Sequence, residues 1–183
     1  MKRAFTFILC GLAAVSMAQL GGKGGKGAGK LKVELSDGKF FVIELDKGSP
    51  QTISHIAGLL GKKFYDGIRF HRVEDWVVQW GDPVSRTSLA PGQVGGGGSG
   101  KNMPFEASKT SFKRGVVGIA STGSKVGGDS QIFVVKRDSA FLDGNYAVLG
   151  KVTEGMAVID KLQIGAKIKK MYLLKGGPVA IGK

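Results

Sequence analysis

Apolar and polar residues alternate over much of the chain at the two-residue period of half-buried strands. LKVELS (31–36) and KFFVIEL (39–45) are the first such runs, and Asp37-Gly38 between them is a strong hairpin signal. Ser49-Pro50 then opens a different pattern. Serine suits a helix N-cap and proline the first helical position; Ile53, Ile56, Ala57 and Leu60 recur at helical spacing, and Gly61 supplies a stop. After an Asp66-Gly67 turn, strands are predicted over 68–73 and 76–80, then near 115–120, 131–135 and 147–152. A short helix is predicted over 154–162 and a last strand over 168–174. Residues 82–104 form a long loop containing Gly95-Gly96-Gly97-Gly98, and a loop of that length inside a domain is usually functional or mobile. Many short strands plus two helices predict a mainly β fold, a closed or nearly closed barrel with helical caps.

The start of the chain follows other rules. Lys2 and Arg3 precede a short apolar run, Ala4 to Val15, and Ser16-Met17-Ala18 offers a small-x-small cleavage site. Residues 1–18 therefore read as a secretory signal peptide, too short to be a permanent membrane span, and the protein is expected to be exported, periplasmic or secreted. Phe7-Ile8-Leu9 before Cys10 lacks the small residue of a lipid-attachment site. Cleavage after Ala18 removes the single cysteine, so the mature chain would have no thiol chemistry. Residues 19–30, rich in glycine and lysine, read as a flexible leader, and 31–183 as one domain.

Charge changes the picture only slightly. A formal net charge of +13 implies weak attraction to anionic surfaces. No aromatic-interleaved basic stripe accompanies it, so specific nucleic-acid binding is not expected. His55 and His71 have no third histidine to complete a metal site, and the glycine run lacks the Lys-Ser/Thr of a phosphate loop. Neither metal nor cofactor is expected.

Four motifs carry more information. FYDGIRFHRV (64–73), VVQWGDP (77–83), DSQIFV (129–134) and FLDGNYAVLGKVTEGM (141–156) occur in the order and spacing of the cyclophilins, and the resemblance extends over about 31–174. It implies a closed eight-stranded antiparallel β-barrel capped by two α-helices, with a substrate groove on its outer face. It also implies peptidyl-prolyl cis/trans isomerase activity on proline-containing polypeptides, by a monomer. In this resemblance Arg72 matches the catalytic arginine, Gln79 the glutamine that braces it, and Phe133 the ring beneath the substrate proline. Trp76, Val77, Ala120, Ser121, Gln131, Leu142, Phe141 and Tyr146 match groove positions. Taken singly, Arg72 would be an ordinary surface arginine and Phe133 or Leu142 core packing; the assignment rests on the motifs together.

Three departures from the family pattern stand out. The Arg72–Gln79 spacing is one residue short, so the connection through Glu74-Asp75 must be tight. Ser124 to Ser130 is rebuilt, with Asp129 where glycine is typical, and Ile132 replaces one of two phenylalanines. The short spacing is the best support for an alternative reading, a slow proline-peptide binding module or chaperone on the same fold.

Overall fold

Leu31, Val33 and Leu35 alternate with Lys32 and Glu34, and the first three are buried. That alternation builds strand β1 (Lys30–Leu35), which pairs with β2 (Phe40–Leu45) across the Asp37-Gly38 turn. The structure, a computed structural model, describes residues 29–174. The expected signal peptide and most of the expected leader lie outside the described residues. The leader's last residue, assigned above to a flexible segment, instead opens β1, with Lys30 opposite Glu44.

Helix α1 spans Pro50–Gly61, with proline in its first turn as expected. The cap differs from expectation. Ser49 sits at the N-cap position but makes no side-chain cap bond; the Glu106 carboxylate accepts from Gln51 N (3.1 Å) and Thr52 N (2.8 Å) instead. Strands β3 (Arg72–Val73), β4 (Val77–Trp80), β5 (Val116–Ile119), β6 (Ile132–Val135) and β7 (Val148–Glu154) follow. Helix α2 (Met156–Asp160), shorter than the predicted 154–162, and β8 (Ile168–Leu173) complete the fold.

The strands form one antiparallel sheet in the order β3-β4-β6-β5-β7-β2-β1-β8. The expected closed barrel is corrected to an open, curled half-barrel. Its two edges, β3 and β8, are not joined by a ladder. Only two residues of the predicted 68–73 strand adopt strand pairing in β3, and the chain before them meets β8 through an isolated Arg69–Lys167 bridge and scattered bonds such as Ile168 N to Ile68 O, 2.8 Å. A two-residue strand has too few donors and acceptors to sustain a closing ladder.

Curling gives the central strands two buried faces. Val78, Trp80, Ile132 and Val134 point into the main core with Phe41 and Phe70. Val77, Phe133 and Val135 face the other way, into a second cluster with Phe112, Val116, Leu142 and Val148. This second cluster is the floor of the site.

Candidate functional site

Sheet register lines up the residues of the site. Arg72 on β3 lies opposite Gln79 on β4, Gln79 opposite Phe133 on β6, and Phe133 opposite Gly118 on β5. A single row therefore crosses four strands, since directly opposed residues project from the same face. The short spacing between Arg72 and Gln79 leaves room for only a tight turn beyond the first pairing. Glu74 N donates to Val77 O (2.8 Å), so only Asp75 and Trp76 form the turn. Gly118 ends the row for a steric reason. A Cβ there would lie 2.5 Å from Phe133 Cζ, so only glycine leaves room for the phenylalanine ring.

The Arg72 guanidinium is held from several sides. Its Nε donates to Glu74 Oε1 at 2.7 Å, its Nη1 donates to Gln79 Oε1 at 3.4 Å, and its carbon stands 5.3 Å from the centroid of the Trp76 ring. The Gln79 amide passes the constraint inward, donating to Gln131 Oε1 at 2.7 Å. Gln131 in turn donates to Gly95 O and Gly97 O, both at 2.8 Å. The glycine run of the long loop is thus tied to the row rather than left free.

A cavity of about 180 Å³ opens over this row. Nine of the eleven expected site residues line it: Arg72, Trp76, Val77, Gln79, Ala120, Ser121, Phe133, Leu142 and Tyr146. Phe133 is buried and stacks on Phe112 with centroids 5.6 Å apart, while the Tyr146 ring meets it edge-on at 5.8 Å. Phe141 stands at the rim, 68% exposed and 5.5 Å from the Trp76 ring. Gln131 lines a neighbouring cavity of about 480 Å³, which shares Gln79, Ala120 and Ser121 with the first.

Burial holds the His71 imidazole below the usual histidine range, so the ring next to Arg72 in sequence is neutral near pH 7. His55 is placed elsewhere, with Nε2 3.1 Å from Asp129 Oδ1. That contact ties α1 to the rebuilt segment, where Asp129 also accepts from the Ser99 hydroxyl and from Gly100 N.

Sequence reasoning missed Glu74, Asp82 and Asp129. Glu74 could have been found from its i+2 spacing to Arg72, which puts both on one strand face. For Asp82 the local sequence signals only the cap bond to Val84 N; its loop partners, Gly95 and Gly97, lie more than ten residues away. It is fully buried, and its carboxylate accepts from Val84 N (2.8 Å), Gly95 N (2.6 Å) and Gly97 N (2.9 Å). Burial pushes this carboxyl up, but the three amides outweigh it and hold it below the usual carboxylate range.

The sign of the pH effect follows. A depressed folded value means the contribution of Asp82 is complete above its unfolded value of about 3.9 and is lost as pH falls through the folded one. Asp82→Asn is expected to lower the urea midpoint at neutral pH and to lose less further stability than wild type between about pH 5 and about pH 3. Equal acid losses in the two proteins would show that the carboxylate charge does not hold the loop.

Comparison with known proteins agrees with this arrangement. Residues 30–176 match the family model described as cyclophilin type peptidyl-prolyl cis-trans isomerase/CLD. A probable peptidyl-prolyl cis-trans isomerase of Brucella suis is 35% identical over 141 residues, covering 74% of this chain and 71% of the relative. Peptidyl-prolyl cis-trans isomerase B of Bacillus subtilis is 31% identical over 140 residues, covering 75% and 92%. Among solved structures, a cyclophilin type peptidyl-prolyl cis-trans isomerase of Cryptosporidium parvum superposes with a TM-score of 0.67 at 19% identity, covering 81% of this chain and 98% of that one. A Cryptosporidium parvum cyclophilin type peptidyl-prolyl cis-trans isomerase solved in the presence of the dipeptide Ala-Pro superposes with a TM-score of 0.66, covering 80% of this chain and 99% of that one. With the row of Arg72, Gln79 and Phe133 in place and most of its length matched, the chain belongs to the cyclophilin-type peptidyl-prolyl cis-trans isomerases.

Proposed function

We propose that this isomerase accelerates X-Pro bond rotation in exported or envelope proteins as they fold, with Arg72 as its catalytic residue and Phe133 as the floor beneath the proline ring. The observation that carries the site assignment is the register row, which sets a braced guanidinium beside a buried aromatic ring in one small cavity.

The chemistry suits that pair. Rotation about an X-Pro bond must break amide resonance, and unaided it takes tens to hundreds of seconds. In the twisted transition state the prolyl nitrogen becomes pyramidal and regains a localised lone pair. A guanidinium N–H donated to that nitrogen has little to bind in the planar ground state, so its effect falls on the barrier. An apolar wall of Val77, Leu142 and Phe133 adds to this, because the planar amide is more dipolar than the twisted one. Raising a rate near 0.01 per second to about a thousand per second needs about 7 kcal/mol. One charge-assisted hydrogen bond with a complementary groove is of that order. Trp76, Ala120, Ser121, Gln131, Phe141 and Tyr146 bind the flanking peptide in this reading.

The alternative, a slow binding module, drew on the short Arg72–Gln79 spacing. That spacing accommodates a direct cross-strand pair, which supports turnover instead. A protease-coupled assay on a short X-Pro peptide is expected to give a rate proportional to enzyme concentration. Peptide binding without rate acceleration would favour the module. Export rests on the pattern of residues 1–18 and is tested separately. Those residues, fused to a reporter enzyme that needs disulfides, are expected to give an active reporter outside the cytoplasm; an inactive, uncleaved fusion overturns it.

A further inference from the structure

Glu74 stands where the short β3–β4 turn puts a carboxylate against the arginine of the site. Its Oε1 accepts from Arg72 Nε at 2.7 Å, and its Oε2 accepts from the Trp76 indole Nε1 at 2.8 Å. Its backbone is fixed as well: Glu74 N donates to Val77 O, and Lys136 Nζ donates to Glu74 O at 3.0 Å. One side chain thus grips the cation and the aromatic ring over which that cation sits. We propose that Glu74 is a positioning residue of the isomerase, holding Arg72 by its Nε edge and, through Trp76, by the ring against which the guanidinium rests, so that the terminal nitrogens face the substrate. The proposal rests on Arg72 being the catalytic residue.

Three features favour positioning over a merely structural role or a masking one. The Arg72 and Glu74 side chains are 42% and 44% exposed, and an exposed ion pair contributes little to stability. Stability is therefore not what the pair is suited to supply. The second brace, Gln79, bonds Arg72 at a long 3.4 Å, so Glu74 makes the tighter contact. Finally, among the described residues the Arg72 contacts take up Nε and one N–H of Nη1, leaving three of the five guanidinium N–H donors for substrate. A masking carboxylate would bind the terminal nitrogens. Glu74 binds the edge and leaves them open.

The test is a double-mutant cycle in the full chain, with kcat and KM measured separately for Glu74→Ala, Glu74→Gln, Arg72→Ala and the Glu74→Ala/Arg72→Ala pair. Glu74→Ala is expected to lower kcat about three- to tenfold with KM and Tm nearly unchanged, since a loosened guanidinium loses its alignment but not the groove. Glu74→Gln should recover part of the loss, because its amide oxygen still accepts from Nε while its NH2 cannot accept from the indole. In the Arg72→Ala background the Glu74 substitution should have no further effect on kcat. A wild-type or raised kcat in Glu74→Ala, a loss carried in KM alone, or a full effect without Arg72 overturns the proposal. If Arg72→Ala itself keeps wild-type kcat, it is the underlying assignment of the catalytic residue that fails.

Discussion

Arg72→Ala is expected to remove most isomerase activity and leave the fold intact. Among the described residues the guanidinium is the only permanent charge lining the small cavity, and it stands at the end of the row that contains Phe133. Losing one charge-assisted contact made mainly in the transition state costs roughly 2–4 kcal/mol, or about 30- to 1,000-fold in kcat/KM. Arg72→Lys should recover little. An ammonium offers no planar edge for Glu74 and Gln79 to hold, and its charge sits at the end of a flexible stem. Tm should scarcely change, because the side chain is 42% exposed and its ion pair with Glu74 is at the surface. Near wild-type kcat/KM in the alanine variant would refute the mechanism, and an unfolded variant would make Arg72 structural.

The opposite profile is expected at Gly81, where β4 ends. Gly81 has φ +113, a conformation that side chains rarely adopt, and a Cβ there would lie 2.2 Å from Ser130 O and 2.7 Å from Gln131 Cα. Both neighbours are backbone atoms, so no side chain can swing aside. The local geometry is also tied by the Ser130 hydroxyl, which donates to Gly81 O at 2.8 Å. Gly81→Ala therefore combines left-handed strain with an overlap between the backbone just after β4 and that just before β6, together costing about 3–5 kcal/mol, a large share of the stability of a domain this size. The variant is expected to show a strongly lowered urea midpoint or to accumulate unfolded, and any folded fraction should have lost affinity for peptide because Gln131 is displaced. An unchanged midpoint would mean that the β4–β6 junction is looser than its contacts indicate.

Much of this molecule was legible from short stretches of the chain. The Asp37-Gly38 hairpin, the Pro50 start of α1 and the alternation that defines β1 and β2 each depend on a few consecutive residues, whose backbone preferences act locally. Family resemblance supplied candidate site residues, and nine of them share one cavity. Three further features were decided at a distance. Glu106 caps α1 from more than fifty residues away, replacing the serine that local rules nominate. Asp82 and Gln131 pin the glycine run, which composition alone reads as free to move. The barrel stays open because β3 is cut to two residues, although the periodicity of 68–73 supports a longer strand.

Glu74 shows the division most clearly. Its spacing to Arg72 is plain in the sequence, and so is the missing residue before Gln79. That the missing residue would tighten the turn, with Arg72 and Gln79 face to face and one carboxylate between a guanidinium and an indole, follows only once β3 and β4 are paired. Period, turn chemistry and motif order are written within a few residues of one another, so the sequence by itself determined the strands, the helix start and the family. Register, curl and long-range hydrogen bonds depend on which segments meet, so the tertiary structure alone decided how the cation is held.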